Sequence, residues 1–446
     1  MRDRRTLALL LILVGGCTLR NEVTITPVFL LPEDVRTRGT GVIELESAGD
    51  YARALTYASA VESRSRPRVG EYLALGSAEL AAGRFDDARR HLRAALDLRP
   101  SREVGGDIAW ALSQTEYLSN NYASALEWAR FAKEHGIGVR NWHLHYLEAL
   151  SGTPTYEFAS RRAALLPMRM GSPDIPRVNV RVNRDHSVTC VIDTGAVMSI
   201  VSETFALEAG VRSVGEFEGT FLGLLGEPIP VRFGIVDSLQ LGDLEVRNVP
   251  IAIMGDDKLQ FFVSNRKPFR MDFLMGSDLL KEFRLELDFR NEVVTFQPLH
   301  PADRRPGPDQ NLFYVGFRPL VQTAINRKGW FLFIVDTGSE VTFLNDELIR
   351  STPVRSSIRY HGATLQGLGG ARKRGEKVED VEIVVDAWGG KFRNIPLYNA
   401  GQSRAFGILG QNYLKNFRVV VDFGTMRLDL YRDRGPFRRS AIERGR

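Results

Sequence analysis

One short phrase occurs twice in the chain. Val191-Ile-Asp-Thr-Gly-Ala196 ends the apolar run at 188–192, and Val335-Asp-Thr-Gly-Ser339 ends the apolar run at 330–335. A strand that stops at Asp-Thr-Gly delivers a carboxylate to a tight loop, where glycine lets the backbone turn sharply. A single such triplet is an ordinary turn. Here the surroundings repeat as well. Phe273-Leu-Met-Gly276, Leu279-Leu-Lys-Glu-Phe-Arg284 and Leu287-Asp-Phe289 follow the first copy; Gly407-Ile-Leu-Gly410, Tyr413-Leu-Lys-Asn-Phe-Arg418 and Val421-Asp-Phe423 follow the second. Polar turns after Val178-Asn-Val-Arg-Val-Asn183 and Val321-Gln-Thr-Ala-Ile-Asn326 lead into the two aspartate strands. Glycine-spaced hairpin candidates lie at 219–226 and 362–370. Short apolar strands broken by Gly, Asn, Asp and Pro fill both halves, the pattern of small sheets and barrels. The second half repeats the first throughout.

Each half resembles a retropepsin-type aspartic protease unit, and the tandem is similar to the two-lobed arrangement of pepsin-like enzymes. The resemblance covers roughly residues 163 to 432 and rests on paired motifs. It implies two homologous β-barrel lobes, 176–300 and 312–433, joined by a Pro-rich linker at 301–311. It implies further that Asp193 and Asp336 form a catalytic pair. Two carboxyls brought together cannot both ionise easily, so they share one proton and titrate as a unit. The ionised member takes a proton from a water attacking a peptide carbonyl, and the other protonates the developing oxyanion. In the family, Thr194 and Thr337 would brace the loops against each other, and Gly195 and Gly338 would let backbone amides approach the carboxylates. Ser339 can donate to Asp336, whereas Ala196 cannot serve Asp193, which predicts Asp336 as base and Asp193 as holder of the proton. Gly223 and Gly226, and Gly367 and Gly370, mark candidate flap tips; neither stretch carries a tyrosine at its tip, as the main pepsin flap does. No cofactor is expected, and the substrate is a protein or peptide.

The N-terminus reads as a targeting segment. Basic residues, a short apolar run and Gly15-Gly16 precede Cys17, and the run is too short to span a membrane as a mature helix. This resembles a bacterial lipobox, which implies a signal peptide at 1–16, lipid attachment at Cys17 and a cell-envelope location. Thr18 beside it fits the outer membrane, facing the periplasm. An ordinary signal peptide, or a short anchor, with an incidental cysteine is the alternative. Residues 17–40 read as a tether, in which Val23-Thr-Ile-Thr26 could be a short strand.

Residues 41–152 change to helical periodicity. Tyr51, Phe85 and Tyr122 open similar phrases 34 and 37 residues apart, a spacing that resembles tetratricopeptide repeats. The predicted fold class is therefore multidomain, α plus all-β: a repeat-like helical segment, then two barrels. The helices could present a concave docking surface to a protein partner or act as a spacer. His143 and His145, two apart, diverge on a helix and do not make a metal pair. A linker at 153–175 follows, with 157–166 predicted as a last helix. Cys190, the second of two cysteines, reads as a buried hydrophobe. The net charge of +5 is modest for 446 residues, so the basic tail at 434–446 reads as a solvated terminus and no nucleic-acid partner is expected. Two alternatives stand beside a protease: a non-catalytic lipoprotein scaffold, and a catalytic chain whose lobes pair between molecules.

Overall fold

The computed structural model describes residues 23–28, 41–47, 49–66, 68–222, 227–261, 269–350, 360–366, 372–398 and 405–432. The leader at 1–16, Cys17, the four flap-tip glycines and the tail at 434–446 lie outside the described residues. Among the described residues a strand at Val23–Pro27 is followed by eight helices: α1 (Val42–Ser47), α2 (Tyr51–Leu55), α3 (Ala58–Glu62), α4 (Val69–Ala81), α5 (Phe85–Asp97), α6 (Arg102–Leu118), α7 (Tyr122–Glu134) and α8 (Asn141–Leu150). The Ser101 hydroxyl opens α6 by accepting from the Val104 amide at 3.4 Å, one of the donors a helix start leaves orphaned. Gly83 and Asn120 close α4 and α6 in the left-handed region, so each helix turns back on its predecessor. Close packing within a pair needs a small residue: a Cβ on Gly76 would lie 2.7 Å from Leu92 Cγ.

The helices are not a detached arm. Leu45, Tyr51, Leu75 and Ala78 share one apolar cluster with Phe313, Leu332, Phe343 and Ile408 of the second lobe. The Tyr51 and Phe313 rings lie 5.6 Å apart. Farther along, Trp142 and Tyr146 of α8 pack on Phe233 of the first lobe, with ring centroids at 5.7 and 4.7 Å. Both barrels therefore bury apolar surface against one helical layer, which stabilises the assembly in proportion to the area removed from water.

Each lobe is built on a nine-stranded sheet. In the first, the strand ending at Asp193 (His186–Ile192) lies between Arg177–Val182, antiparallel, and Phe273–Met275, parallel. In the second, Lys328–Val335 lies between Arg318–Ile325 and Gly407–Leu409 with the same senses. The long hairpin Pro228–Leu241 with Leu244–Met254 corresponds to Arg372–Val385 with Trp388–Tyr398. The outer edge of each sheet is covered by a strand from elsewhere, Glu157–Phe158 in one and Val23–Pro27 in the other. The short strand considered at 23–26 thus forms, as an edge-covering element.

A five-stranded sheet joins the lobes, with Phe283–Asp288 antiparallel to Arg418–Asp422 at its centre. Its outer strand is Ala164–Pro167, paired with Val293–Pro298. The helix predicted at 157–166 is therefore replaced by two strands. Ala164 and Leu166 point into the core while Leu165 stays 66% exposed, so an open sheet edge overrides the local helical propensity.

Candidate active site

Each aspartate is placed by the same set of backbone bonds. The Asp193 amide donates to the Met275 carbonyl at 3.0 Å, and the Asp336 amide donates to Leu409 at 3.1 Å. The strand carrying the second motif thus stops each aspartate strand at its carboxylate. The glycine ending that motif is sterically required. A Cβ on Gly276 would stand 2.4 Å from the Met198 carbonyl carbon, and one on Gly410 would stand 2.4 Å from the Val341 oxygen. Both approaches are far inside contact distance. Ser199 donates its amide and hydroxyl to Asp278 Oδ1, each at 2.8 Å. Thr342 repeats this with Asn412, at 2.9 and 2.7 Å. The hydroxyls in turn accept from the Gly276 and Gly410 amides, each at 3.1 Å.

The two loops then lock together across the pseudo-twofold axis. The Thr194 hydroxyl donates to the Val335 carbonyl at 2.6 Å and accepts from the Thr337 amide at 3.2 Å. The Thr337 hydroxyl donates to Ile192 at 2.7 Å and accepts from the Thr194 amide at 3.1 Å. A Cβ on Gly195 would lie 2.4 Å from Asp336 Cγ, and one on Gly338 would lie 2.4 Å from Asp193 Cγ. Each glycine therefore underlies the carboxyl of the opposite lobe. Asp193, Thr194, Gly195, Asp336, Thr337 and Gly338 converge within one chain.

The pair is buried and unequal. Both side chains are 0% exposed. Asp193 Oδ1 accepts the Gly195 and Ala196 amides at 2.9 and 3.0 Å. Burial nevertheless pushes Asp193 up to about 7, against those amides, Asp336 and Arg318, which all favour its charged form. Asp336 is raised well above the ordinary carboxylate range, first by burial and then by the charge of Asp193, against the nearby Gly338 amide and Arg318. Asp193 Oδ2 and both Asp336 carboxyl oxygens have no hydrogen-bond partner among the described residues. The two amides on Asp193 Oδ1 favour Asp193 as the charged member of the pair. The donor expected at Asp336 from Ser339 is not supplied, for a local reason. The Ser339 hydroxyl donates to the Val341 carbonyl at 2.8 Å instead of to Asp336.

The arms of the flap candidates are paired, Gly219–Leu222 with the strand starting at Pro228, and Tyr360–Gln366 with Arg372–Val385. His143 is buried against the Trp110 and Trp142 rings, and His145 sits 5.5 Å from Phe217. Cys190 is buried, which pushes its thiol pKa up. Reading the motifs missed Arg318 and Tyr398, both buried in the second lobe, whose charge and phenol act on Asp336. Their signal was the register between the halves.

A protein-family model, Aspartyl protease, matches residues 178–279. Over 121 residues the chain is 30% identical to DNA damage-inducible protein 1 of Yarrowia lipolytica. That match spans 27% of this chain and 27% of the relative's length. Among solved structures, an aspartic proteinase from Irpex lacteus is similar at 12% identity and a TM-score of 0.36, covering 61% of this chain and 98% of its own. A retropepsin-like aspartic protease from Rickettsia conorii is similar at 15% identity and a TM-score of 0.20, covering 32% and 96%. Residues 178–279 thus match an aspartyl protease domain, in a molecule of two lobes each built on a nine-stranded sheet.

Proposed function

We propose that the protein is an aspartic endopeptidase in which Asp193 and Asp336 activate one water between them. The observation that carries this is the interlock of the two loops, which brings both carboxyls into one buried site. The site supports a balanced sequence. Asp193 takes a proton from water as the water oxygen bonds to the peptide carbonyl carbon, while the Asp336 proton passes to the carbonyl oxygen. Collapse of the resulting diol breaks the C–N bond. The amide nitrogen takes the proton held by Asp193, and the diol proton returns to Asp336. The donors fixed on Asp193 stabilise its charge without rearrangement, the preorganisation on which such catalysis depends.

The N-terminal sequence supports a lipid anchor at Cys17 and a bacterial envelope location, with the enzyme facing the periplasm. The helical layer then acts as a rigid mount for both lobes and offers its outer face to a partner or a substrate tail. Asp193→Asn and Asp336→Asn variants of the full chain test catalysis on an unstructured protein substrate. Each loses about 10²- to 10⁴-fold in cleavage rate with the fold retained by circular dichroism. Retained cleavage in either variant would leave a scaffold with a protease fold.

A further inference from the structure

The two lobes are not chemically equivalent around the dyad. Arg177 pairs with Val191, and Leu320 pairs with Ile334, each partner standing two residues before its aspartate. Ile175 and Arg318, two residues before Arg177 and Leu320, therefore occupy matching places. Ser202 and Asn345, each nine residues after an aspartate, pair with Met254 and Tyr398. The first lobe thus offers Ile175 and Met254 where the second offers a guanidinium and a phenol. All four side chains are buried, Arg318 at 7% exposure and Tyr398 at 2%. The Tyr398 hydroxyl finds no hydrogen-bond partner among the described residues.

A buried guanidinium is costly unless opposite charge answers it. Its backbone is also held in place. Gly316 and Phe317 both lie in the left-handed region, the Phe317 ring stacks edge-on to Tyr117 of α6 at 4.9 Å, and the Phe317 carbonyl accepts from Ser277 at 3.4 Å. That same Ser277 hydroxyl donates to the Ala196 carbonyl at 2.7 Å. The segment presenting Arg318 is therefore pinned by the helical layer, by the second motif and, through Ser277, by the first aspartate loop.

We propose that Arg318 is a positioning residue for the dyad: its fixed, buried charge holds the pair in the singly ionised state, with Asp193 negative. Tyr398, Asp336 and Asp193 act electrostatically on Arg318. Burial lowers the guanidinium only to about 10, and it raises the Tyr398 phenol. Both keep their protons while the dyad titrates. The role rests on the proposed hydrolysis for its use, but the charge coupling can be measured without it.

The test is a cycle on the full chain. Arg318→Met and Arg318→Lys are made in the native background and in an Asp193→Asn/Asp336→Asn background, and urea unfolding is followed from pH 4.5 to 8. Asp193 is raised in the fold, so the stability it contributes is present below its unfolded pKa and lost as pH rises through about 7. Without Arg318 that loss is larger. The destabilisation by Arg318→Met therefore grows with pH in the native background, is flat in the Asn background, and is smaller for Arg318→Lys at high pH. A penalty with the same pH course in both backgrounds overturns the proposal. In the cleavage assay the acid limb of kcat/KM moves up by about one pH unit or more in Arg318→Met and stays in Arg318→Lys; an unmoved limb in an active Met variant also overturns it. If the native chain cleaves nothing, the hydrolytic reading fails, and the unfolding cycle still decides the role of Arg318.

Discussion

At the scale of single residues, the dyad is governed by a contest between burial and a few fixed donors. Burial wins: it raises both carboxyls, Asp193 to about 7. Activity needs Asp193 ionised and Asp336 protonated, so it falls as pH drops through the Asp193 value and falls again when Asp336 loses its proton. The expected kcat/KM profile is a bell whose acid limb lies in the neutral range, and a limb in the strongly acidic range would contradict it. Ala196→Ser should leave that limb in place, because the matching Ser339 hydroxyl is spent on the Val341 carbonyl; a shifted limb would restore the opposite polarity. The two aspartates and their Thr-Gly partners were legible from the repeated phrase alone. The direction of Ser339 was not, because a hydroxyl chooses among acceptors that only the folded loop supplies. Arg318 escaped notice for a related reason: a lone arginine at the start of a strand looks like surface until the register gives it the place that Ile175 holds in the first lobe.

Among elements, the loop interlock is the joint that makes two barrels one site. Each threonine hydroxyl serves one carbonyl and one amide of the other lobe. Thr194→Val keeps the shape but leaves the Val335 carbonyl and the Thr337 amide without that partner. The expected cost is about 1–3 kcal/mol for each buried group left unsatisfied, read by urea unfolding, together with a fall in kcat from a loosened dyad. Thr194→Ser retains the bonds and recovers most of both losses; a Ser variant as poor as Val would show that the methyl group, not the hydroxyl, matters. The barrel strands were legible because alternating burial and turn residues mark them. The segment at 157–166 was not, since Ala, Leu and Arg favour a helix locally and only the free edge beside Val293–Pro298 makes a strand there. The helices were legible by period, but not the face they bury, which depends on the aromatic side chains of the opposing lobes.

The whole molecule is tied together by a buried polar cluster where helices and lobes meet. Lys281 donates to Asn120 Oδ1 at 2.6 Å and to Glu282, Asn120 donates to Glu282 at 3.0 Å, and Arg304 donates to Glu282 at 2.6 Å. The Lys281 ammonium also lies 5.2 Å from the Tyr156 ring centroid. Burial pushes Glu282 up, but the Lys281 and Arg304 charges outweigh it and hold it at about 2. A carboxyl lowered in the fold contributes stability above its unfolded pKa, and that contribution is lost as pH falls through about 2. Asn120 belongs to the turn after α6, Lys281 and Glu282 to the second motif of the first lobe, and Arg304 to the link between lobes. Breaking the cluster therefore loosens three parts at once. Lys281→Met leaves Glu282 buried with part of its counter-charge gone, at an expected cost of about 3–5 kcal/mol. Because the helical layer and both lobes share apolar cores, calorimetry should show this as one transition moved to lower temperature, with the helical signal lost in the same step as the β signal. Two separated transitions would mean that the helical layer folds independently of the lobes and that the cluster is a surface latch rather than part of a common core.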